Sequence, residues 1–388
     1  MKIVCFTSRV PWPLEKGDKL RIYHQLKELS AHHEIILCAV HDEAIHKDAR
    51  AELGKFCSEM HFVHHNYVKL VFNMLRAFLN GNPIQVGYFS SGKAKKVFDK
   101  IIAEKKPDRI YCQLIRTAEY VVGHENTPST IDYMDVFSKG VQRRIDKVNF
   151  IKRIIFKMEW KRLMKYEQRV FSRFKQHTII SKQDQELLPV EEKQKIHIIP
   201  NGVDTDFFQP KNSDKEFELL FNGNMNYPPN VESAIYIVKR ILPVVWKTKP
   251  NVRLLISGAT PAKEVQDLAS DKVVITGWVD DVRDSFARSK ILVAPMQSSI
   301  GLQNKILEAM AMKIPCITTT LSNNAVKAVP DKQILVADSP EQFATFIHLL
   351  LDHPDKAAQL AENGFALVHE KFNWKNTTNE LEKLIVSA

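Results

Sequence analysis

Residues 291–319 contain the pattern that most restricts the fold of this chain. An apolar run at 291–294 is followed by a loop with Gly301, by an amphipathic segment at 303–312, and by a second apolar run at 316–319. A helix that connects two strands places them parallel in one sheet, because antiparallel neighbours need only a short turn. The pattern therefore predicts a βαβ unit and an α/β fold.

The predicted helix presents three polar side chains together. Because successive helical residues are about 100° apart, Asn304, Lys305 and Glu308 fall within one narrow arc. The opposite side is apolar, with Ile306, Leu307 and Met310. Backbone N–H groups at a helix start favour an anion, so this arc can hold a diphosphate at the helix end and a sugar hydroxyl one turn further along. The alternative is a solvent-exposed Lys–Glu pair without a ligand.

Strand and helix patterns alternate along the whole chain. In the first half, apolar runs predict strands at 2–7, 34–40, 61–65, 109–113, 129–132, 177–181 and 196–200. Helices are predicted near 19–31 and 45–57. A second cycle predicts strands at 217–221, 252–257, 273–276, 291–294 and 316–319. The helices of this cycle are predicted near 230–242, 263–269 and 281–289.

This alternation predicts two doubly wound, Rossmann-like domains. The polar stretch 209–215 is the best linker, so we expect an N-terminal, acceptor-side domain at 1–208 and a C-terminal, nucleotide-sugar-binding domain at 209–370. Residues 371–388 are expected to form a helix that packs back on the first domain. Ligands of such sheets bind beyond the carboxyl ends of the strands, and we expect the two domains to face a central cleft.

The composition is that of a soluble globular protein. The 388 residues are 44% hydrophobic and 26% charged, which allows two full cores. Five cysteines form no CxxC pair and four of them lie in apolar runs, so we expect reduced core thiols and no metal site. The N-terminus has no signal-peptide pattern, and no apolar run approaches the roughly 18 residues of a membrane span. We expect a cytoplasmic location, with contact to a membrane only at its surface.

The net charge of +10 is concentrated in residues 139–176, which contain thirteen Lys and Arg and three acidic residues. Apolar residues recur at helical spacing in this segment, and Phe150, Phe156 and Trp160 add aromatic bulk. A basic amphipathic helix with aromatic residues suits an anionic membrane surface on the inner face of the plasma membrane. The alternative is a surface helix whose apolar stripe packs on its own sheet. Nucleic acid is not an expected partner, because no nucleic-acid-binding motif accompanies the charge.

Two loops with a glycine follow predicted strands and lead into helices. In the first, Gly17 can let the backbone approach a phosphate or sugar, and Arg21 lies in the helix that follows. In the second, Gly223 has the equivalent position, and Asn230 is expected as the N-cap of the next helix. In both cases a simple turn is the alternative.

The segment 276–282 lies at the end of another predicted strand. The backbone at Val279 is placed to pair with the edge of a base, while Asp281 caps the next helix; capping alone is the alternative. The chain has neither G-x-G-x-x-G after a strand nor G-x-x-x-x-G-K-[ST], which argues against a dehydrogenase and a P-loop enzyme. His-Glu-x-x-His is also absent from the sequence.

Three motifs together resemble glycosyltransferase family 4: 199–204 (IPNGVD), 277–279 (GWV), and 301–312 followed by Ile314-Pro315. The combination of 16–21 (KGDKLR) with 303–311 (QNKILEAMA) is similar to the sugar transferases associated with exopolysaccharide and PEP-CTERM sorting systems. The resemblance spans nearly the whole chain. It implies the GT-B fold and a metal-independent sugar transfer with retention of anomeric configuration.

The resemblance also implies roles for single residues. Glu308 corresponds to the second glutamate of the E-x7-E motif, which binds the nucleotide ribose, and Lys305 to the basic group on the donor diphosphate. Gln303 and Asn304 correspond to the loop beside the sugar, and Gly17 to the glycine loop under the diphosphate. No cofactor is expected, since the UDP- or GDP-linked sugar is a co-substrate.

Several positions depart from the family pattern. The first glutamate of the motif falls at Ile300, and Asn224 and Asn226 stand where a basic residue often follows the Gly223 loop. The usual histidine of the first domain has no clean counterpart, since His124 is near but not aligned. Asp135, after the strand predicted at 129–132, is the better candidate to contact the acceptor hydroxyl; a helix cap is the alternative.

The sequence therefore predicts a glycosyltransferase of exopolysaccharide or cell-surface glycan synthesis. It would move a sugar from a nucleotide-diphosphate donor to a glycan or lipid-linked acceptor, with Lys305 and Asp135 as catalytic residues. The expected donor-binding residues are Gly17, Arg21, Gly223, Val279, Gln303, Asn304, Lys305 and Glu308. The alternatives are a non-catalytic scaffold of a polysaccharide assembly system and a nucleotide-sugar epimerase.

Overall fold

The structure is a computed structural model that describes residues 1–297 and 302–387. The chain forms two compact units. Unit 1 consists of Met1–Pro200 and Thr377–Ala388, and unit 2 consists of Asn201–Asn376. From the sequence, the corresponding boundaries are expected after residues 208 and 370. Each unit has its own parallel sheet, covered by helices.

Unit 1 is built on a parallel sheet of the order β3-β2-β1-β4-β5-β6-β7. Its strands are β1 (Lys2–Thr7), β2 (Glu34–His41), β3 (Glu59–His64), β4 (Arg109–Gln113), β5 (Ser129–Asp132), β6 (Gln176–Ile179) and β7 (Ile196–Ile198). Alternate residues of β1 enter different cores, Ile3 and Cys5 on one face and Val4 and Phe6 on the other. This period of two is expected of a strand that is covered on both faces.

The helices of unit 1 connect these strands. They are α1 (Gly17–Leu29), α2 (Ala49–Leu53), α3 (Tyr67–Leu79), α4 (Ile84–Phe89), α5 (Gly92–Lys105), α6 (Phe137–Gln142), α7 (Phe150–Phe171) and α8 (Lys182–Leu187). Helix α17 (Trp374–Ser387) adds Leu381 and Ile385 to the core that contains Ile3 and Cys5. The chain therefore returns to unit 1 after unit 2 is complete.

Unit 2 contains a parallel sheet of the order β10-β9-β8-β11-β12-β13. Its strands are β8 (Phe217–Asn222), β9 (Leu254–Ser257), β10 (Val273–Ile275), β11 (Ser289–Ala294), β12 (Cys316–Thr318) and β13 (Leu335–Val336). Its helices are α9 (Pro228–Tyr236), α10 (Leu242–Val245), α11 (Lys263–Gln266), α12 (Val282–Ala287), α13 (Asn304–Ala311), α14 (Thr320–Val326), α15 (Pro340–Asp352) and α16 (Pro354–Lys371). A π-helical turn at Ile237–Ile241 joins α9 to α10.

The expected alternation of strands and helices is confirmed, and both units are Rossmann-like. The basic segment 139–176 is not a single helix: it contains α6, a short 3₁₀ turn at Ile145–Lys147 and then α7, with extended backbone at Val148 and Asn149 between them. The five cysteines are buried free thiols. No helix within 1–297 and 302–387 is long and apolar enough to cross a membrane.

Candidate functional site

The strand order of unit 2 reverses direction between β8 and β11, its first and fourth strands. In an open α/β sheet, such a switch point forms a crevice at the carboxyl ends of the strands, and ligands bind there. Asn222 ends β8 and is followed by Gly223, and helix α13 is the first described helix after β11. The topology therefore brings Gly223 and the polar arc of α13 to one place.

Lys305 is a buried cation at the start of α13. Its residue is 7% exposed, and its Nζ donates a hydrogen bond of 2.7 Å to Asn230 Oδ1. The ammonium also lies 4.2 Å from the ring centroid of Phe221. Burial lowers the pKa of Lys305 to about 7, and the nearby Glu308 carboxyl opposes this shift. An anion that contacted this group would favour its charged form.

Glu308 lies one helical turn beyond Lys305. Burial raises the pKa of its carboxyl to about 7, while a hydrogen bond with Asn222 and the nearby Lys305 act in the opposite direction. Asn222 is buried, and its Oδ1 has no hydrogen-bond partner among the described residues. The site therefore contains a carboxyl group and an unpaired acceptor, which are the groups that bind ligand hydroxyls.

Two glycines bring the ends of β8 and β9 close together. Gly223 and Gly258 have φ values of +145° and +143°. A Cβ on Gly258 would lie 1.7 Å from the Gly223 carbonyl oxygen, so no other residue fits. A Cβ on Gly223 would lie 3.2 Å from Lys305 Nζ and 2.8 Å from Asn230 Nδ2. The absence of a side chain at Gly223 therefore keeps the space beside Lys305 open.

Gln303 and Asn304 begin helix α13. Gln303 is the N-cap residue and Asn304 the first helical residue, and both are partly exposed. Asn304 Oδ1 accepts a hydrogen bond of 3.3 Å from Asn201 Nδ2. Ile300 and Gly301, which the sequence analysis singled out, lie outside the described residues. The opposite side of the helix is buried as predicted, with Ile306, Leu307 and Met310.

Asn230 has a different position from the one expected. Helix α9 begins at Pro228 with Tyr227 as its N-cap, so the prediction of Asn230 as the cap is wrong. Asn230 lies in the first turn, where its Nδ2 donates to the Asn224 carbonyl at 2.9 Å and its Oδ1 accepts from Lys305. The two prolines at 228 and 229 suit the first helical positions, and the start of the helix moves accordingly.

The segment after β10 also reaches the carboxyl edge of the unit 2 sheet. Gly277 has a φ of +70°, and its carbonyl accepts a hydrogen bond of 3.0 Å from the Gly258 N–H. Val279 follows and is partly exposed. Asp281 is the N-cap of α12, as predicted: its Oδ1 accepts from the Arg283 N–H at 2.9 Å. The described residues contain no group of three His, Cys, Asp or Glu side chains suited to a metal ion.

The sheet of unit 1 reverses its order between β1 and β4. Gly17 is the first residue of α1, and a Cβ placed on it would meet no heavy atom within 4 Å. Asp18, beside it, forms an ion pair with Arg9. Arg116, just after β4, lies between two aromatic rings, with its guanidinium 4.6 Å from the centroids of Phe89 and Phe137. Burial lowers the pKa of Arg116 to about 10.

Arg21 is fully buried. Its Nε donates to Asp132 Oδ2 at 2.6 Å, and its Nη2 donates to the Ile199 carbonyl at 2.9 Å. Both side chains of the ion pair are 0% exposed. The described contacts of Arg21 therefore join α1, the end of β5 and the segment after β7, and Arg21 is not carried into the donor site proposed below.

Asp135 is exposed and lies three residues beyond Asp132, the last residue of β5. Its Oδ1 accepts a hydrogen bond of 2.7 Å from the Val136 N–H, and Val136, not Asp135, is the N-cap of α6. The alternative role of Asp135 as the helix cap is therefore wrong. Burial raises the pKa of Glu167 to about 7, and the negative charge of Asp135 adds to this. His124, the other candidate, bonds to Asp99 at 2.6 Å.

Some site residues escaped the sequence analysis. Gly258 follows a predicted strand, as Gly223 does, and that shared position was a usable signal. Asn230 was noticed only for capping, since nothing local indicates its contact with Lys305. Arg116 has no motif around it.

The comparisons with known proteins agree with this architecture. Residues 216–353 match the family described as "Glycosyl transferases group 1". The chain is 22% identical to the "Uncharacterized 44.6 kDa protein in cps region" of Klebsiella pneumoniae, over 98% of this chain and 99% of that protein. It is also similar to sucrose-phosphate synthase from Thermosynechococcus elongatus, with a TM-score of 0.72 and 14% identity over 100% of this chain and 99% of that one.

A further solved structure contains ligands. It is Anabaena HepE in complex with UDP and glucose, with a TM-score of 0.67 and 13% identity over 99% of both chains. The two structural similarities show the GT-B fold, with its two Rossmann-like domains, for this chain.

Proposed function

We propose that this protein, a glycosyltransferase with the GT-B fold, holds the diphosphate of a UDP- or GDP-linked sugar at the β8/β11 switch point of unit 2. The observation that carries the proposal is the contact of Lys305 with Asn230, which fixes a buried cation at the start of α13 beside Gly223. An ammonium without an anionic ligand is costly to bury, and its lowered pKa reflects that cost.

The same group suits the transition state of sugar transfer. When the bond between the sugar and the diphosphate breaks, the leaving phosphate gains negative charge. Lys305 and the N–H groups at the start of α13 are placed to stabilise this charge, and they need no metal ion to do so. Removing one such preorganised donor typically raises the barrier by about 2.7–4 kcal/mol.

Other residues of unit 2 complete the proposed donor site. Glu308 binds the ribose hydroxyls, and Asn222 lies beside it with its buried Oδ1. Gln303 and Asn304 contact the sugar, while the backbone at Val279 pairs with the base. These assignments rest on the family resemblance, and their support here is the position of each residue at the carboxyl edge of one sheet. Anabaena HepE with UDP and glucose makes UDP-glucose the first donor to test.

We propose a glycan or a lipid-linked molecule as the acceptor, with Asp135 contacting its hydroxyl; the proposed role of Gly17 as a donor-binding residue rests on the resemblance. Asp135 is exposed, and its Oδ1 accepts from the Val136 N–H; within the described part of the chain, Oδ2 has no hydrogen-bond donor and is open to such a contact. Retention of configuration, membership of glycosyltransferase family 4 and a place in exopolysaccharide synthesis follow from the resemblance. The relative in the Klebsiella cps region supports the last of these.

A thermal-shift screen against nucleotide sugars tests the donor site. A donor that binds the folded state raises the melting temperature by mass action. Among UDP, GDP and their sugars, some should raise the melting temperature and others should leave it unchanged. Calorimetry with the Lys305→Met variant should show the loss of nucleotide binding. A screen in which no nucleotide sugar stabilises the protein would overturn the proposal.

Product analysis separates the three functions. A transferase releases nucleotide diphosphate and extends an added glycan or lipid-linked acceptor. Isomerisation of the donor sugar without any acceptor would indicate an epimerase, and donor binding without either reaction would indicate a scaffold. Only the first result agrees with the proposal.

We also propose that the basic segment 139–176 contacts an anionic membrane surface, which would place the enzyme beside a lipid-linked acceptor on the inner face of the plasma membrane. Helix α7 supplies exposed Lys152, Lys157 and Lys161 and the partly exposed Arg153. Wild-type protein should co-sediment with anionic vesicles in a salt-sensitive manner, because surface charges are screened by salt. Replacing these four residues by Glu should release the protein; unchanged pelleting would contradict the proposal.

A further inference from the structure

Helix α3 presents an apolar face to solvent. Seven of its thirteen residues are large exposed hydrophobics, among them Val68 at 78%, Phe72 at 65% and Leu79 at 73% exposure. The full set is Tyr67, Val68, Val71, Phe72, Leu75, Phe78 and Leu79. A soluble protein seldom leaves so many apolar side chains together on one helix, so this face indicates an interaction surface.

The orientation of α3 is fixed by the face that it buries. Leu70 and Ala77 are buried, and Ala77 packs where α4 crosses at Gly87. A Cβ on Gly87 would lie 2.5 Å from the Ala77 Cβ and 2.8 Å from the Asn73 carbonyl oxygen. Because the two helices touch this closely, α3 cannot turn its exposed face inward without losing that contact.

The first turns of α7 also expose apolar side chains. Phe150, Ile151, Ile154 and Ile155 are exposed there, at 42–74%. Arg162 lies on the same side of α7 as Ile155, since seven residues are close to two turns, or about 10 Å along the axis. The guanidinium of Arg162 lies 4.9 Å from the Phe78 ring of α3, and it donates to the Asn82 carbonyl at 3.3 Å.

The exposed face of α3 and the first turns of α7 are named here the α3–α7 surface. Among the described residues, it contains eleven of the nineteen large hydrophobic side chains that are exposed. Both helices belong to unit 1 and meet at the contact between Arg162 and Phe78.

The charged residues within the two helical segments have one sign. Residues 67–79 and 150–158 contain no acidic side chain. Their basic residues are Lys69, Arg76, Lys152, Arg153 and Lys157. The next acidic residue on α7, Glu159, is buried and accepts hydrogen bonds from the Ile84 and Gln85 N–H groups.

This charge pattern indicates which kind of partner can cover the α3–α7 surface. A second copy of the chain would bring like charges together across a symmetric interface, which is unfavourable. An anionic bilayer offers an apolar interior for the side chains and a negative surface for the lysines and arginines.

We propose that the α3–α7 surface docks on an anionic lipid bilayer, with α3 lying in the plane of the interface and its apolar side chains in the acyl region. The inference extends the membrane contact proposed above for 139–176. It adds a second, apolar component that lies outside that segment, on α3.

The test uses the whole protein and vesicles of phosphatidylcholine with and without one-third phosphatidylglycerol. The Phe72→Glu/Leu75→Glu variant should lose at least about tenfold in partitioning, because each buried apolar side chain contributes that much or more. The control Val329→Glu changes an exposed apolar residue of unit 2 (52% exposed) and should bind like wild type. Nucleotide binding by both variants verifies the fold.

A second readout reports insertion directly. An environment-sensitive thiol dye on Phe72→Cys should shift to the blue with anionic vesicles, whereas dye on Val329→Cys should not; the five native cysteines are buried and react poorly. The insertion of α3 would be overturned if the dye on Phe72→Cys showed no blue shift, or if the Phe72→Glu/Leu75→Glu variant bound vesicles as well as wild type. Either result would leave the electrostatic contact of 139–176 unaffected. The proposal would also be overturned if the wild-type protein did not bind vesicles, or if it formed a dimer that the Phe72→Glu/Leu75→Glu variant could not form.

Discussion

The Nζ of Lys305 donates a hydrogen bond of 2.7 Å to the Oδ1 of Asn230, a residue 75 positions earlier in the chain. Asn230 in turn holds the carbonyl of Asn224, so helix α13 and the loop after Gly223 are linked through one amide. A ligand that reached Lys305 would meet a cation already oriented toward the loop. This preorganisation is the basis of the first two predictions.

Lys305→Met should remove the cation and keep most of the packing volume. We expect donor turnover to fall about a hundredfold or more, because one preorganised charge is lost from the transition state. Thermal unfolding should change little, since the buried ammonium has a cost of its own. Lys263→Met is the matched control, as the Lys263 side chain is 85% exposed in the same unit. Wild-type turnover by Lys305→Met would exclude the proposed role.

Binding of UDP should be coupled to proton uptake. The pKa of Lys305 is lowered to about 7 in the free protein, and contact with a diphosphate would raise it again. Above pH 7.5 the free lysine is mostly neutral and must be protonated on binding. The affinity should therefore fall by up to about tenfold per pH unit.

Calorimetry in buffers of different ionisation enthalpy measures this proton directly. Uptake should disappear in Lys305→Met and persist in Glu308→Gln, which separates the lysine from the carboxyl whose pKa is also near 7. Equal uptake by all three proteins would assign the proton to another group.

Gly258→Ala should destabilise unit 2 by about 2–5 kcal/mol, because a Cβ there would overlap the Gly223 carbonyl and the φ of +143° is strained for alanine. Gly277→Ala is the control. It also has a positive φ, +70°, but its Cβ would meet nothing closer than 4.0 Å, so the expected loss is about 1 kcal/mol. Urea unfolding of the two variants measures the difference, and equal losses would contradict the close approach.

Two buried glutamates on α7, Glu167 and Glu159, should differ when each is replaced by Gln: one replacement should stabilise the protein and the other should destabilise it. Burial raises the pKa of Glu167 from 4.5 to about 7, so the folded state binds this proton more tightly than the unfolded state does. Stability should consequently fall as pH rises from 4.5 through 7. Glu167→Gln removes that loss and keeps an oxygen for the Ser138 N–H, so we expect a gain of about 1–3 kcal/mol at pH 8 and little at pH 4.5.

Glu159 differs because both of its oxygens accept backbone hydrogen bonds, from the Ile84 and Gln85 N–H groups. In Glu159→Gln one oxygen becomes an NH₂ group that faces an N–H donor. We expect a loss of about 1–3 kcal/mol at any pH. Urea titrations of both variants at pH 4.5 and pH 8 provide the comparison, and a pH-independent effect of Glu167→Gln would contradict the raised pKa.

Arg21→Met should destabilise unit 1 by about 3–5 kcal/mol, since it leaves the carboxylate of Asp132 buried without its partner. The double variant Arg21→Met/Asp132→Leu should recover part of this loss, because neither charge then remains. At a temperature where Arg21→Met is folded, its affinity for UDP should equal that of wild type. A specific loss of affinity with unchanged stability would return Arg21 to the donor site.

The sequence indicated the central strands well because several of them, such as β1 and β2, are apolar runs buried on both faces. The predicted 2–7, 109–113 and 129–132 coincide with β1, β4 and β5. Helices α3 and α5 were not predicted, and α3 has most of its apolar residues on the exposed side, so its pattern does not report burial. The short strand β13 gave too little signal.

Local periodicity placed Lys305 and Glu308 on one arc, because the arc depends only on helical geometry. The partner Asn230 is brought there by the fold, and no local pattern indicates a contact across 75 residues. Arg21 shows the same limit in the opposite sense. A cation near a glycine loop suggests a ligand, but only the packing of α1 against β5 reveals that the guanidinium faces Asp132.

The return of the chain to unit 1 has a consequence for synthesis on the ribosome. Leu381 and Ile385 complete a core that also contains Ile22 and Leu26, yet they are translated after all of unit 2. Most of unit 2 is therefore translated before the core of unit 1 can be completed. The N-terminal sheet must wait until these late residues leave the exit tunnel, so a truncation before α17 would impair the part of the molecule that is made first.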